Sequence, residues 1–238
     1  MKQPGGTIWA MILVGFLVSG LSAKVAAEKP KGPTTIVQFY NLLNPDSIKS
    51  QKDKWYTGAI VEGDIEVTVD TKNGYLTWSD PGTGGGTLTM EAALFVTADK
   101  RKILATNRID SDSLSVTCEL RFYQYKDESM QEIKSGILPD LNVAMFLDEK
   151  LDKKSFSKHE SLLDRVKIKI ELPRFGTAIT ISPEFTSLGP AITASDLNDE
   201  EKEKARQVIE AGLPYTIDLN WDRKKGAFTF GKKAKAGK

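Results

Sequence analysis

The possible folds of this chain are limited most by a strict alternation of apolar and polar residues that recurs along it. The clearest case runs from Leu114 to Phe122, where every second residue is apolar and the residues between them are polar or charged. Successive side chains of a β-strand point to opposite faces of a sheet, so this period of two predicts a strand with one buried face. Cys118 falls on the apolar face of the strand.

Turn residues follow the other alternating runs. Asn73-Gly74 comes after the run at 65–70, and this pair favours a hairpin because both residues tolerate positive φ. Pro173 to Gly176 follows the run at 166–172 in the same way. Such connections are shorter than the crossover of roughly a dozen residues that parallel strands need. We therefore predict a mostly antiparallel sheet, folded as a sandwich or as a curled sheet.

Two helices complete the predicted α+β fold class. Residues 36–43 have apolar side chains at helical spacing, which predicts a short N-terminal helix. Near the C-terminus, Asn198 can cap a second helix, and Glu201 follows three residues later as in a capping box. Gly212 is placed to end that helix.

Other stretches carry weaker patterns. The polar segment 46–54 favours a surface loop. Within 126–163, we expect a short helix near 129–134 and a strand near 143–147. The lysine-rich residues 232–238 are typical of a disordered, solvated tail.

Residues 1–27 have the composition of a signal peptide. Lys2 precedes a stretch of 14 residues, Ile8 to Leu21, that carries no charge. As a helix this stretch is about 21 Å long at ~1.5 Å per residue, shorter than the roughly 30 Å hydrocarbon core of a membrane. Small residues indicate cleavage after Ala27 or, as the alternative, after Ala23. We expect a bacterial protein that is periplasmic or secreted and has no stable membrane span after cleavage.

The mature chain divides into a linker at 28–34, a single α+β domain at 35–231 and the basic tail at 232–238. Of 33 cations, cleavage removes Lys2 and Lys24, which leaves 31 against 32 anions. Proteins that bind the phosphate backbone need clustered positive charge, so this balance argues against a nucleic-acid partner. The chain has a single cysteine, so it cannot form an intramolecular disulfide.

The common catalytic and metal-binding patterns are missing from the sequence. His159 is the sole histidine, and it lies in a polar stretch without a nucleophile elbow at the neighbouring serines. A Ser-His-Asp triad needs a histidine beside its nucleophile, and zinc prefers several Cys and His ligands. We interpret His159 as a solvated surface residue, and we expect no catalytic residue, no metal and no cofactor.

Two other patterns suggest ligand binding at first sight. Asp110 and Asp112 could bind calcium, but an EF-hand counted from Asp110 would have Ser115 in place of its glycine and Arg121 in place of its glutamate. Gly82 to Gly86 could cradle a phosphate, but this segment enters a strand and lacks the Lys-Ser/Thr of a P-loop. We interpret the first as a hairpin turn, with a weak calcium site as the alternative, and the second as a connection between strands.

The polar face of the strand at 114–125 is the most plausible interaction surface. Arg121, Tyr123 and Tyr125 project together from it, and arginine and tyrosine are enriched where proteins bind partners. Aromatic residues also stabilise sheets through cross-strand pairs, which is the alternative interpretation. A basic row at 165–169 could recognise an anionic envelope polymer or could protect a sheet edge.

These patterns favour an exported, non-enzymatic binding or envelope-associated protein whose partner is a protein or an envelope component. Two alternatives stay open. One is an envelope-polymer hydrolase that uses paired carboxylates, because that chemistry leaves no spacing rule in a sequence. The other is a carrier of an apolar ligand in a curled sheet, which would require a dry cavity.

Overall fold

A computed structural model describes residues 32–45, 47–58, 64–82, 84–151 and 156–235. The expected signal peptide and most of the expected linker lie outside the described residues. Within the described ranges, no helix has the length and apolar character that a membrane span requires.

The described residues form two antiparallel sheets, of eight and four strands, and each sheet follows the order of the chain. This confirms the predicted α+β class with mostly antiparallel strands. The Asn73-Gly74 turn joins two paired strands as expected, with Gly74 at φ 66°. The larger sheet contains β1 (Lys49–Gln51), β2 (Lys54–Gly58), β3 (Asp64–Asp70), β4 (Tyr75–Asp80), β5 (Thr87–Val96), β6 (Lys102–Ser111), β7 (Val116–Lys126) and β8 (Ser129–Glu132). The smaller sheet contains β9 (Lys167–Glu171), β10 (Ala178–Glu184), β11 (Tyr215–Asp222) and β12 (Ala227–Lys235).

The main core lies between the two sheets. Aromatic rings meet there edge to face or tilted: the Phe95 and Trp221 ring centroids both lie 4.9 Å from that of Phe228, and Phe122 lies 5.8 Å from it. Aliphatic residues of the smaller sheet pack around these rings. Aromatic side chains bury large apolar areas, so this cluster contributes strongly to holding the sheets together.

Strand β9 crosses the strands of the larger sheet instead of running along them. Its edge and the following turn contact β6, then β5, then β3, at positions two residues apart. The bonds are Asn107 Nδ2 to Ile170 O at 2.8 Å, Leu172 N to Glu91 Oε2 at 3.1 Å and Arg174 Nε to Asp70 Oδ2 at 3.3 Å. These three contacts show that the chain from Ile170 to Arg174 passes across successive strands of the larger sheet.

Helix α1 (Ile36–Leu43) covers the opposite face of the larger sheet. Thr35 begins the helix with a capping box, and the buried residues Ile36, Phe39 and Tyr40 form a second core with Leu76 and other residues of the sheet. Two further helices, α2 (Leu188–Thr193) and α3 (Asp199–Gly212), add apolar residues to the main core. The predicted capping box of α3 is confirmed, because Asn198 and Glu201 exchange hydrogen bonds of 3.0 Å each.

Three local predictions are wrong, and one helix was not predicted. The segment 129–134, expected as a helix, forms β8, because Asp127 and Glu128 adopt positive φ and reverse the chain. The segment expected as a strand at 143–147 forms a 3₁₀ turn at Val143–Phe146. The expected loop at 46–54 contains β1, and α2 was not expected at all.

The basic tail also differs from the prediction up to Lys235. Strand β12 continues to this residue, paired with β11. Lys233 donates from Nζ to the Leu147 carbonyl at 3.0 Å, and Lys235 lies 3.4 Å from an Asp148 carboxylate oxygen. The ammonium groups therefore have acceptors on the two residues that follow the 3₁₀ turn, and the lysine content of the tail does not predict these contacts. Residues 236–238 lie outside the described part.

Candidate binding groove

The three predicted binding residues share one face of β7, and that face is the one on which α1 packs. Arg121 keeps 47% of its side chain exposed. Tyr123 and Tyr125 are half-buried and pack against the second core, and the Tyr125 ring lies close to Gly32. Arg121 and Tyr123 both line a groove beside α1, whereas Tyr125 is not among the residues that line it. Their role in binding stays a prediction.

This concavity, here called the α1 groove, has a volume of about 410 Å³. The end of α1 forms one wall and supplies Tyr40, Leu43 and Asn44. The outer face of β5–β7 forms the floor and the other wall, with Met90, Thr106, Arg108, Glu119, Arg121 and Tyr123. Apolar and aromatic groups beside a few polar ones are the usual composition of a ligand site.

Strand register brings the polar side chains of the α1 groove together. Arg108 on β6 lies opposite Glu119 on β7, and Thr106 lies opposite Arg121. Directly paired residues of antiparallel strands have neighbouring side chains on the same face. The alternation that predicted the strand therefore also predicts that residues 119, 121 and 123 share a face.

The charges in the α1 groove are balanced. Arg108 binds Asp110 through two hydrogen bonds, at 2.8 and 3.1 Å. Arg121 donates from both Nε and Nη2 to the same oxygen of Glu119, Oε1. The bonds to Glu119 and then to Tyr123 raise the pKa of Arg121, and the bond to Asp110 raises that of Arg108. A guanidinium has five N–H donors, so each arginine retains donors for a ligand.

Two residues that line the α1 groove are almost fully buried. Tyr40 is 3% exposed and Thr106 is 9% exposed. Burial raises the pKa of Tyr40, so its phenol stays neutral at physiological pH. A ligand in this groove would meet a neutral, half-apolar floor and a rim that both donates and accepts hydrogen bonds.

His159 lies beside a different and larger concavity, of about 550 Å³, before helix α3. The imidazole is half-buried, not fully solvated as expected. Ser195 lines the same concavity, but its hydroxyl donates to the Ile192 carbonyl at 2.6 Å. Glu201 is held by the cap of α3 at Asn198. The Ser195 hydroxyl and the Glu201 carboxylate are therefore engaged by the local backbone, whereas a triad requires a nucleophile bonded to the histidine.

The glycine-rich segment and the Asp110–Asp112 turn lie side by side around a recess of about 360 Å³. Sequence reasoning treated them separately. Asp112 accepts from the backbone N–H groups of Leu114 and Ser115, at 2.7 Å each, and Asp110 pairs with Arg108. These bonds lower the pKa of Asp112 and are those of an ordinary hairpin turn. Among the described residues, no group of three or more His, Cys, Asp or Glu side chains could hold a metal ion.

Two observations bear on the alternative functions. A general acid needs a carboxyl group with a raised pKa, whereas hydrogen bonds lower the pKa of Asp70, Asp99, Asp112, Asp148 and Asp222, so these five carboxylates do not have that property. A carrier needs an empty apolar interior. The space between the sheets is instead occupied by mutually packed rings, such as Phe95 and Phe228.

Sequence reasoning missed the half of the α1 groove that α1 and β6 supply. The residues on β6 could have been predicted from the sequence, because Arg108 and Asp110 are two residues apart on a strand and thus share a face. The residues on α1 could not have been predicted as part of the groove. An apolar stripe shows that a helix packs on something, but not on which face of a sheet.

One solved structure with a similar fold is a domain of an uncharacterized protein from Porphyromonas gingivalis W83. The two share 11% sequence identity and superpose with a TM-score of 0.54, over 75% of this chain and 80% of that one. At this identity the likeness shows the fold alone. No family model matches the chain, and no curated protein is similar to it in sequence.

Proposed function

We propose that this protein is an exported, non-enzymatic binding protein that engages a component of the bacterial envelope through the α1 groove. The observation that carries the proposal is the row of Arg108, Glu119 and Arg121 beside the buried Tyr40. The arginine side chains are 49% and 47% exposed and retain unused donors. Arginine and tyrosine next to a desolvated floor are what binding surfaces favour.

The charge balance of the α1 groove supports a ligand without large net charge. Asp110 and Glu119 neutralise the two guanidinium groups, so a polyanion would gain little from them. The rim offers N–H donors of the arginines, carboxylate acceptors and the amide of Asn44, which both donates and accepts. A neutral envelope polymer, or a polar segment of an envelope protein, matches this set of groups.

Export is the first part to test. Expression of the full chain in a bacterial host, followed by cell fractionation and mass determination, should yield a product in the periplasm or medium that begins after Ala27 or Ala23. A full-length product retained in the cytoplasm would overturn the exported part of the proposal.

Binding is tested by photo-crosslinking in the exporting cell. A benzoylphenylalanine at Asn44, an exposed residue on the rim of the α1 groove, should form an adduct with an envelope component. The same probe at Asn220, which is exposed on the smaller sheet, is the matched control and should form none. Equal adducts at both positions, or none at Asn44, would overturn the proposal.

A further inference from the structure

We infer that the outer edge of β7, between Val116 and Leu120, binds an extended peptide segment of a partner protein as an added strand. This inference goes beyond the proposed function, because it concerns the edge of the larger sheet and not its outer face. Arg121 lines both the α1 groove and the recess at this edge.

The first half of this edge has no paired strand because β8 leaves β7 early, while β9 packs nearby through the Ile170 backbone and the Cys118 side chain. Strand β7 runs from Val116 to Lys126, but β8 pairs only with its last four residues. One more bond, from Ile133 N to Phe122 O at 2.8 Å, ends the ladder. The chain then turns away through Gly136, whose φ is 81°.

Alternate backbone groups of the first half of β7 therefore point outward. In an antiparallel ladder, the N–H and C=O groups of successive residues go to opposite neighbours. Because Phe122 bonds on the β8 side, the groups of Leu120, Cys118 and Val116 point to that side as well. In the described part of the chain, no backbone group pairs with them. A row of unpaired backbone N–H and C=O groups can bind the main chain of an extended peptide. The groups recur every second residue, about 6.8 Å apart.

A recess adjoins the open edge where the ladder stops. Its volume is about 490 Å³, and Leu120, Ile137, Leu138 and Leu141 give it an apolar lining. In strand addition, main-chain hydrogen bonds supply affinity and pockets for alternate side chains supply specificity. The recess is placed to take one apolar side chain of the added strand. Sheet edges that must not pair are often blunted by lysine or proline, and residues 116–120 contain neither.

The test begins with selection of linear peptides from a random display library against the mature protein. We expect enriched peptides whose affinity falls at least about tenfold when alternate backbone nitrogens are methylated, and changes little when the intervening ones are methylated. Leu138→Asp should weaken binding to a similar extent. Leu42→Asp is the matched control, because Leu42 is 43% exposed on α1, and it should have no effect.

A second variant addresses the edge itself. Val116→Pro removes one outward donor at the first residue of β7, where proline is best tolerated, and should also weaken the peptides. Circular dichroism checks that both variants remain folded. The inference would be overturned if no peptide is enriched. It would also be overturned if neither N-methylation of the peptide nor Leu138→Asp changes the affinity. Sedimentation that reveals a dimer lost in the Val116→Pro variant would also overturn it, because the edge would then hold a second copy of the chain.

Discussion

Asn107 on β6 donates from its side-chain Nδ2 to the backbone carbonyl of Ile170 on β9, at 2.8 Å. The same Nδ2 also donates to Glu91 at 3.1 Å, and Glu91 accepts from the backbone of Leu172. Polar side chains on the inner face of the larger sheet thus satisfy the backbone of an edge strand that crosses it. This explains why an asparagine with no exposed surface lies among apolar residues.

Replacement of Asn107 should lower the free energy of unfolding more than replacement of a surface asparagine. We expect Asn107→Leu to lower the free energy of unfolding by about 1–3 kcal/mol, because the Ile170 carbonyl is left buried without a donor. Asn220→Leu, at an exposed position of the smaller sheet, is the control and should change it by less than about 0.5 kcal/mol. Urea denaturation measures both. Equal effects would contradict a bridging role for Asn107.

The ring cluster between the sheets should dominate stability. Phe228 is 3% exposed and contacts three other rings, whereas Phe230, two residues later, is 51% exposed. We expect Phe228→Ala to lower the free energy of unfolding by about 3–5 kcal/mol. Phe230→Ala should lower it by less than about 1 kcal/mol. Thermal and urea denaturation of the two variants compare them directly, and a larger effect at Phe230 would refute the assigned core.

Stability should fall at alkaline pH partly through Tyr75. Burial, followed by the charge of Glu91, raises the pKa of Tyr75 from 10.0 to about 12. Between these values the unfolded chain has lost the phenolic proton and the folded chain retains it, so the free energy of unfolding decreases as pH rises through this window. Urea denaturation across the window should show a shallower decrease for Tyr75→Phe than for the unaltered protein. Identical slopes would show that Tyr75 does not titrate as described.

The thiol of Cys118 should react slowly in the folded protein. The residue is half-buried, and burial raises the pKa of its thiol. Because the thiolate is the reactive form, we expect an aromatic disulfide reagent near pH 8 to react at least about tenfold more slowly with the folded protein than with the protein in urea. Equal rates would mean that β7 does not hold this side chain against the main core.

The strands of this fold could be predicted where one face is buried and the other is polar. Cys118 and Phe122 illustrate this, since the alternation alone placed both on the inner face of β7. The alternation could not show that α1 covers part of the other face. Alternating residues indicate which side chains share a face of the sheet, but not what packs on that face. Tyr125 is an example: the alternation predicts that it lies on the polar face, but not that its ring lies beside Gly32, and its role in binding stays a prediction.

Short elements were hardest to predict. Strand β8 has only four residues, and its pairing depends on positive φ at Asp127 and at Glu128, which stands where such a hairpin usually has glycine. The bond from Asn107 to Ile170 joins residues 63 positions apart, so no local pattern contains it. Such long-range contacts determine how the two sheets pack on each other. The sequence therefore predicted the strands but not the packing of the sheets.

The proposed recognition surface is tested most directly by crosslinking from Asn44 in cells that carry Arg108→Ala and Arg121→Ala together. Both side chains are about half exposed, and their removal should leave the free energy of unfolding within about 1 kcal/mol of the original value. We expect the double variant to be exported and folded but to lose the adduct. An adduct that persists at full yield in the folded double variant would contradict binding through the α1 groove.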